Sequence, residues 1–308
     1  MFDPSALTEV TLRNRIAISP VTQYSCSPDG VVTDWHLAHL GAGAMGGAGL
    51  VRVEQLAVSP EGRMTPGGAA LWNDDQAEAL ARVTRFLKAR CPASSSAIPA
   101  AKAAFTSCGM ATPSSRPTTR RAGSPSPPSA SPLVAASRAP RGHDAGFVWL
   151  EIRYAQGFLG ASFLSPIADG RVDEHGGTAE NRARFLVAAF RAVRAAWPER
   201  LLLIVRMGAI DFHSDTHTVQ DSIALVEALA VRGLDRVDIS LGMNINAAEV
   251  PWTECGFMVP TASRIQRETG MPVAVSWNLG APVAADRLIR DEGAGLLMVG
   301  RPALANPP

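Results

Sequence analysis

Several polar side chains follow short apolar runs that have the composition of buried strands. Arg153 and Gln156 come after the run 147–152, and Arg206 ends the run that begins at Leu201. Both residue types donate hydrogen bonds, and an arginine is costly to bury unless an anion accompanies it. For Arg206 that anion is either a ligand or a neighbouring carboxylate. The spacing therefore predicts a site that binds a carbonyl group or an anion.

Two other pairs of residues suggest a chemical role. Gly300 and Arg301 follow the last apolar run, and loops at that place in a parallel barrel commonly hold phosphate through backbone N–H groups and a guanidinium. His36 and His39 stand three apart in one predicted helix. No third ligand is near them in the sequence, so we interpret them as capping and packing residues rather than as a metal site.

The elements that must position these residues alternate between strand and helix. Alternation at this spacing indicates a parallel sheet with crossover helices. Eight units are counted if one damaged unit is included, so we expect an α/β fold, a TIM (β/α)₈ barrel, as one domain of residues 1–308. The predicted strands are Leu12–Pro20, Leu50–Ala57, Phe147–Ile152, Leu201–Met207, Arg236–Ser240, Pro272–Ser276 and Gly295–Gly300. The predicted helices are Asp34–Met45, Asn73–Arg90, Thr178–Trp197, Val219–Val231, Pro260–Glu268 and Val283–Glu292.

The third strand–helix unit is the damaged one. Residues 91–142 contain no Asp or Glu and are rich in Ser, Pro, Ala and Arg. This is the composition of a disordered basic linker. A barrel that lacks a strand cannot close its hydrogen-bond ladder, so we expect a disrupted third βα unit with 91–142 as an aberrant segment.

The composition limits the partners and the location. The chain has 308 residues, 46% of them hydrophobic, and a net charge of +1, which gives no field to attract nucleic acid or an acidic membrane. Its four cysteines (Cys26, Cys91, Cys108 and Cys255) lie far apart without a CxxC pair, as in reduced cytoplasmic proteins. The N-terminus lacks a secretory leader, and no apolar run reaches membrane-spanning length. We expect a cytoplasmic protein with a small-molecule partner, and homo-oligomerisation stays open.

The amino-acid sequence of several segments resembles that of the old yellow enzyme family of FMN-dependent ene-reductases and NAD(P)H dehydrogenases. The resemblance covers residues 1–90 and 143–308, and it implies a TIM barrel in which NAD(P)H reduces FMN and a hydride passes from flavin N5 to an enone-type alkene. The segments that carry it are Ile18–Tyr24, Trp149–Leu159, Asp173–Arg182, Val205–Arg206 and Val299–Arg301.

The resemblance implies a set of residues that bind the flavin. Within this set Thr22 tunes the ring, Arg206 stabilises negative charge on reduced flavin, and Gln55 stands where the family prefers a small residue. The full set is Ser19, Pro20, Val21, Thr22, Gln55, Arg206, Gly300 and Arg301. The implied reductant is NADPH or NADH.

The residues implied to be catalytic are Arg153, Gln156 and Tyr24. Arg153 and Gln156 occupy the family's substrate-anchoring pair, normally two histidines or a histidine and an asparagine, and Tyr24 matches a tyrosine that contacts substrate. Phe158 replaces a tyrosine whose hydroxyl protonates the substrate carbon. Together with the loss of the third strand's glutamine and arginine-bearing signature, this change leads us to expect impaired or absent turnover. Ser276-Trp277 stands where the family has a phosphate-binding glycine, which puts that half of the phosphate site in doubt.

Two alternatives of other classes remain open. In the first, the chain is a non-catalytic flavin- or ligand-binding barrel remnant, which would hold yellow FMN without consuming NADPH. The segment 91–142 is alternatively a genuine basic arm that binds nucleic acid or a partner, which salt-sensitive binding would support.

A frameshift would explain the aberrant segment. When Cys91–Lys102 is read as codons and shifted back by one base, the permitted translations include Val-Pro-Gly-Ile-Gln-Leu-Gly-His-(Thr/Ser/Pro)-Gly-Arg-Lys, which resembles the family's third strand and its His-x-Gly-Arg signature. The codons of Gly109–Ala111 likewise permit Trp-Asp-Gly. We hypothesise that about residues 91–141 are out of frame. The chain also stops short of the C-terminal helical segment usual in the family, so we expect a truncated C-terminus.

Overall fold

Eight parallel strands close into a barrel with helices around it. The computed structural model describes residues 1–7, 10–90, 98–104, 132–244, 250–279 and 281–305. The hydrogen-bonded order of the barrel strands is β10-β3-β4-β5-β6-β7-β8-β9, and a two-stranded antiparallel sheet, β1-β2, precedes it. The predicted TIM barrel is confirmed.

The strands are short, and most residues of the barrel strands are buried wherever their burial is described, as expected where both faces of a parallel sheet are covered. They are β1 Ser5–Leu7, β2 Val10–Leu12, β3 Ile16–Ile18, β4 Leu50–Ala57, β5 Ile98–Ala104, β6 Trp149–Tyr154, β7 Leu202–Ile210, β8 Arg236–Leu241, β9 Val273–Val275 and β10 Leu296–Val299. The predicted strand Leu12–Pro20 is wrong in part, because Leu12 belongs to the antiparallel hairpin and only Ile16–Ile18 joins the barrel.

The helices begin and end close to the predicted residues where the sequence carries a cap. Thr178 is the N-cap of α5 as predicted, and its hydroxyl accepts the Asn181 N–H at 3.2 Å. Gly270 ends α7 with a left-handed φ of 69°. The helices are α1 Asp34–Met45, α2 Asp74–Arg90, α3 Pro132–Asp144, α4 Leu159–Leu164, α5 Ala179–Ala196, α6 Val219–Ala230, α7 Val259–Thr269, α8 Pro282–Glu292 and α9 Arg301–Ala305, with a 3₁₀ turn at Pro60–Gly62.

The third unit contains both a strand and a helix, so its predicted disruption is not confirmed. β5 pairs in parallel with β4 on one side and with β6 on the other, and it closes the barrel. Neighbouring strands supply partners for its backbone N–H and C=O groups, which overrides the weak strand propensity of an Ala-rich segment. Most of the residues addressed by the frameshift hypothesis and by the basic-arm alternative, 91–97 and 105–131, lie outside the described residues.

The interior of the barrel has an apolar lower layer and a charged upper layer. The lower layer includes Leu12 of β2, which is fully buried beneath the barrel, so the N-terminal hairpin covers this end. The other members are Ala17, Leu50, Trp149, Leu202, Ile204, Ala274, Leu296 and Met298. Within the described ranges, no helix combines the length and apolar character needed to cross a membrane.

Candidate active site at the C-terminal ends of the barrel strands

A buried charge network occupies the upper layer of the barrel. The Arg52 guanidinium pairs with the carboxylate of Glu151 and, at 3.2 Å, with that of Asp238. Asp238 also lies 3.5 Å from Arg206 Nε, while Arg206 Nη2 donates to Ser276 Oγ at 3.0 Å. Of the two anions considered from the sequence for Arg206, a ligand or a neighbouring carboxylate, the structure provides the carboxylate of Asp238. This pairing offsets part of the cost of burying the charges.

Above this network, a chain of hydrogen bonds joins strands β4, β6 and β8 to the loops that follow β6 and β9. Arg153 donates to the side-chain carbonyl oxygens of Gln55 and Gln156. Gln156 Nε2 then donates to Ser240 Oγ at 3.1 Å, and Trp277 Nε1 donates to the same hydroxyl at 3.1 Å. Three of the predicted site residues are thus in direct contact.

Arg153 carries a charge without a carboxylate partner among the described residues. Its guanidinium lies 3.6 Å from the centre of the Phe158 ring, and its Nε is buried with no hydrogen-bond partner there. Burial lowers the pKa of Arg153 well below its usual value, and the nearby charge of Arg206 lowers it further. Gln55 Nε2 is a second buried donor without a described acceptor. Both atoms are available to an acceptor-rich ligand.

The loop after β3 is held by a glutamate and a histidine. Glu54 Oε1 accepts the backbone N–H of Gln23 at 3.1 Å and lies 3.2 Å from His36 Nε2. The Thr33 N–H donates to His36 Nδ1 at 3.0 Å, so the proton of the neutral ring is on Nε2 and points at Glu54.

Cys26 Sγ lies 3.4 Å from the same His36 Nε2, so these two side chains and Glu54 could be taken for a metal site. A metal ligand needs the lone pair of that nitrogen, which the proton occupies here. The interpretation of His36 as a capping and packing residue agrees with this geometry.

Strained backbone is concentrated at one end of the barrel. Among the described residues, the non-glycine residues with a positive φ all follow the C-terminal end of a barrel strand. Each such conformation costs on the order of 1–3 kcal/mol and is retained where the surroundings impose it, often at functional sites. These residues are Tyr24 after β3, Gln156 after β6, Phe212 after β7, Met243 after β8, and Trp277 and Asn278 after β9. We call this end, formed by the loops after the eight strands, the barrel mouth.

The other predicted site residues lie around the barrel mouth but are not all in contact. Ser19 N donates to Val299 O at 2.9 Å, and a Cβ at Gly300 would lie 3.4 Å from Ser19 Cβ, so the ends of β3 and β10 meet. Pro20, Val21 and Thr22 are half-buried in the loop that follows. Tyr24 is 61% exposed, and Arg301 is exposed at the start of α9.

Sequence reasoning missed four polar residues of this region. They are Arg52, Glu151, Asp238 and Ser240, all buried on barrel strands. Their signal was a charged or polar residue at alternate positions of an otherwise apolar strand, as in Glu151 and Arg153 or Asp238 and Ser240. Alternate residues of a strand face the same side, so this pattern marks the barrel interior.

Comparison with known proteins shows the family of this chain. The model of the NADH:flavin oxidoreductase / NADH oxidase family matches residues 1–91 and 134–308. The chain belongs to this family. The chain is 33% identical over 314 residues to an NADPH dehydrogenase of Geobacillus thermodenitrificans (strain NG80-2), covering 100% of this chain and 91% of that protein. A similar relative, the NADPH dehydrogenase of Listeria monocytogenes serotype 4a (strain HCC23), is 33% identical and covered to 92%.

Solved structures share the fold. The old yellow enzyme homologue from Zymomonas mobilis superimposes with a TM-score of 0.78 at 20% identity, over 99% of this chain and 90% of that one. A 2-naphthoyl-CoA reductase in complex with 2-naphthoyl-CoA gives a TM-score of 0.87 at 20% identity over 99% of this chain, which spans about half (50%) of that longer protein.

Membership of this family makes the protein an NAD(P)H:flavin oxidoreductase with FMN as cofactor. The described residues fit part of that group, because the buried donors Gln55 Nε2 and Arg153 Nε suit the oxygen-rich and nitrogen-rich edge of a flavin ring or of its substrate. Ser276 and Trp277 offer less backbone access for a phosphate than a glycine would, because Trp277 adds an indole at the end of β9.

Proposed function

We propose that this chain is an FMN-dependent NAD(P)H oxidoreductase of the old yellow enzyme type that reduces activated alkenes such as enones, with impaired turnover. The observation that carries this proposal is the cluster of hydrogen-bond donors around Arg153, above the paired Arg206 and in contact with Gln156. A substrate carbonyl is an acceptor, and such donors both orient it and draw electron density from the conjugated alkene. The separate cysteines and near-neutral charge support a cytoplasmic location.

When FMN is bound, it supplies the redox chemistry by accepting a hydride from the nicotinamide and giving one to the alkene. The protein's part is to bind and orient. Arg153 and Gln156 are proposed to hold the substrate oxygen, and Tyr24 to line the outer rim. Ser19–Thr22, Gln55 and Arg206 are proposed to contact the ring, with Gly300 and Arg301 at the phosphate.

We expect impaired turnover because no well-placed acid among the described residues delivers the proton that the second alkene carbon needs. The chain contains two tyrosines, Tyr24 and Tyr154. Tyr154 is fully buried and donates to Leu186 O at 2.8 Å, away from the barrel mouth. Phe158, at the position of the family's acid, has no proton to give. Protonation is therefore left to water or to the exposed Tyr24, and we expect slow turnover.

The test is to follow the absorbance of the FMN-loaded protein anaerobically. We expect NADPH or NADH to bleach the flavin band and cyclohexenone to restore it slowly. A flavin band that no nicotinamide bleaches would contradict the proposal.

A second candidate, a non-catalytic flavin- or ligand-binding barrel, is favoured by one observation. The Arg153 side chain bonds to Gln55 and Gln156 and stacks on Phe158 at 3.6 Å, which partly fills the place of a substrate. Retained FMN without NAD(P)H consumption would support this candidate.

A further inference from the structure

The charge network inside the barrel contains more guanidinium groups than carboxylates. Three guanidinium groups (Arg52, Arg153 and Arg206) lie with two carboxylates (Glu151 and Asp238). Arg52 pairs with both carboxylates, and Arg206 approaches Asp238. Arg153 forms no ion pair with a carboxylate among the described residues, although the charge of Glu151 acts on it from a distance, and it lies near the C-terminal end of β6. A partly buried cation in this position is costly unless an anion accompanies it.

The guanidinium of Arg153 and the two amide groups that it contacts offer a ligand donors rather than acceptors. The side-chain carbonyl oxygens of Gln55 and Gln156 are both used by Arg153. What remains for a ligand is donors, namely Arg153 Nε and Gln55 Nε2, which are buried and without described acceptors. A guanidinium presents its N–H groups in a planar fork that matches a carboxylate.

The site is held in place, which favours a fixed ligand geometry. Gln156 adopts a left-handed φ of 59° and donates to Ser240, and the Phe158 ring supports the guanidinium face. Side chains held in this way lose little freedom when a ligand binds, which favours affinity.

Resting on the proposed function, we propose that the substrate of this site is an alkene conjugated to a carboxylate rather than a neutral enone, and that Arg153 is the residue that determines this preference. The carboxylate of the substrate pairs with the guanidinium and takes the place of the missing internal anion. Gln55 Nε2 provides a further donor to the same group.

The test compares two ligands of the same shape, crotonate and its methyl ketone, in which a methyl group replaces one carboxylate oxygen. Dissociation constants are measured by saturation-transfer NMR, which needs no flavin signal, and by the shift of the flavin absorbance in the FMN-loaded protein. We expect crotonate to bind roughly tenfold or more tightly than the ketone, as is usual for hydrogen bonds to charged groups. Equal binding of the two, or tighter binding of the ketone, would overturn the inference.

Single substitutions test whether Arg153 causes the preference for crotonate. Arg153→Gln keeps a donor and removes the charge, so it should abolish the preference for crotonate, whereas Arg184→Gln, which changes an exposed arginine on α5, should leave it intact. Gln156→Glu supplies an internal carboxylate to Arg153 and should also abolish the preference, even if Arg153→Gln fails to fold. A preference that survives in Gln156→Glu and in Arg153→Gln contradicts the role of Arg153.

The outcomes separate this inference from the proposed function. Loss of FMN on desalting, or no reaction with NAD(P)H, speaks against the proposed function. The NMR comparison of crotonate with the ketone tests the carboxylate preference whether or not the protein retains FMN and reacts with NAD(P)H.

Discussion

Phe158 determines how the site handles a proton. Its ring is buried and lies against the Arg153 guanidinium, and the one buried tyrosine of the chain, Tyr154, faces α5. No tyrosine hydroxyl is therefore placed beside the proposed substrate position at the end of β6. Under the proposed function, we expect hydride transfer and proton delivery to be uncoupled and the second step to limit turnover.

Phe158→Tyr should restore a proton donor and increase the rate of alkene reduction. General acid catalysis typically contributes 10²–10⁴-fold, so we expect an increase of about 10²-fold in kcat with little change in the rate of flavin reduction by NADPH. Stopped-flow measurement of the two half-reactions checks this. As a control, Phe212→Tyr adds a hydroxyl after β7. An equal gain in both variants would contradict the role given to position 158.

At this scale the sequence allowed half of the site to be predicted. Arg153, Gln156 and Arg206 were found because each follows an apolar run, and Gln55 was found through the family resemblance. Ser240 and Asp238 were not, because a serine or aspartate on a strand has many ordinary roles. Only the closure of the barrel brings β8 next to β7 and shows that Asp238 is shared by two arginines.

Helix α1 and strand β4 together position the loop that follows β3. Glu54 is buried in the middle of β4, where the β4–β5 pairing shifts register between Arg52 and Gln55. Its carboxylate fixes the Gln23 backbone and is itself fixed by His36 of α1. The loop 19–24, proposed to contact the flavin, thus depends on a hydrogen bond formed between two other elements.

Glu54→Gln should weaken this support. The amide keeps one acceptor, but its NH₂ group would replace Oε2, which has no described partner, and would leave a buried donor without an acceptor. We expect a loss of about 1–3 kcal/mol in the free energy of unfolding, together with weaker FMN binding. Urea denaturation and FMN titration measure the two quantities. Glu61→Gln, at an exposed position, is the control, and equal effects in the two variants would refute the assignment.

The elements themselves were largely predictable. α1 and β4 match their predicted bounds, because a threonine cap marks the start of α1 and a segment rich in Leu and Val, directly after Gly46-Gly47, marks β4. β5 and the hairpin β1-β2 were missed. Their segments are short or poor in β-branched residues, and they become strands through pairing with neighbours, which a single sequence does not display.

The stability of the whole molecule should depend on pH through a buried histidine. Burial lowers the pKa of His217 below its usual 6.5, although the charge of Asp211 acts in the opposite direction. The unfolded chain therefore binds more protons than the folded one as the pH falls through 6.5, and the stability contributed by the neutral ring is lost there.

We expect the free energy of unfolding to be lower below pH 6.5 than above it and this difference to be smaller in His217→Gln. Some dependence should remain, because the pKa of His39 is also lowered by burial. Urea denaturation on both sides of that pH provides the measurement. His213→Gln changes an exposed histidine, and a flattening of the pH dependence by this control instead would show that the assignment is wrong.

The frameshift hypothesis, which concerns the whole chain, stays a prediction. The family model matches residues 1–91 and 134–308, and the interval between them falls within the proposed out-of-frame segment 91–141. Composition alone had predicted that the barrel would not close, whereas β5 does complete it. Pairing with β4 and β6, rather than the composition of the segment, thus determines that residues 98–104 form a barrel strand.

Sequencing of the coding DNA tests the hypothesis. We expect the codons of Cys91–Lys102, shifted back by one base, to encode the string that ends in His-x-Gly-Arg-Lys. A chain with the restored frame should then bind FMN more tightly than the present one. Codons that cannot supply the string would refute the hypothesis.

The most direct test of the central claim is the absorbance spectrum of the purified protein after incubation with FMN and desalting. We expect a flavin band whose intensity corresponds to about one FMN per chain, because the barrel closes and the donors at its mouth are in place. A colourless protein that is folded by circular dichroism would contradict it, since the barrel would then exist without the cofactor site that its family membership implies.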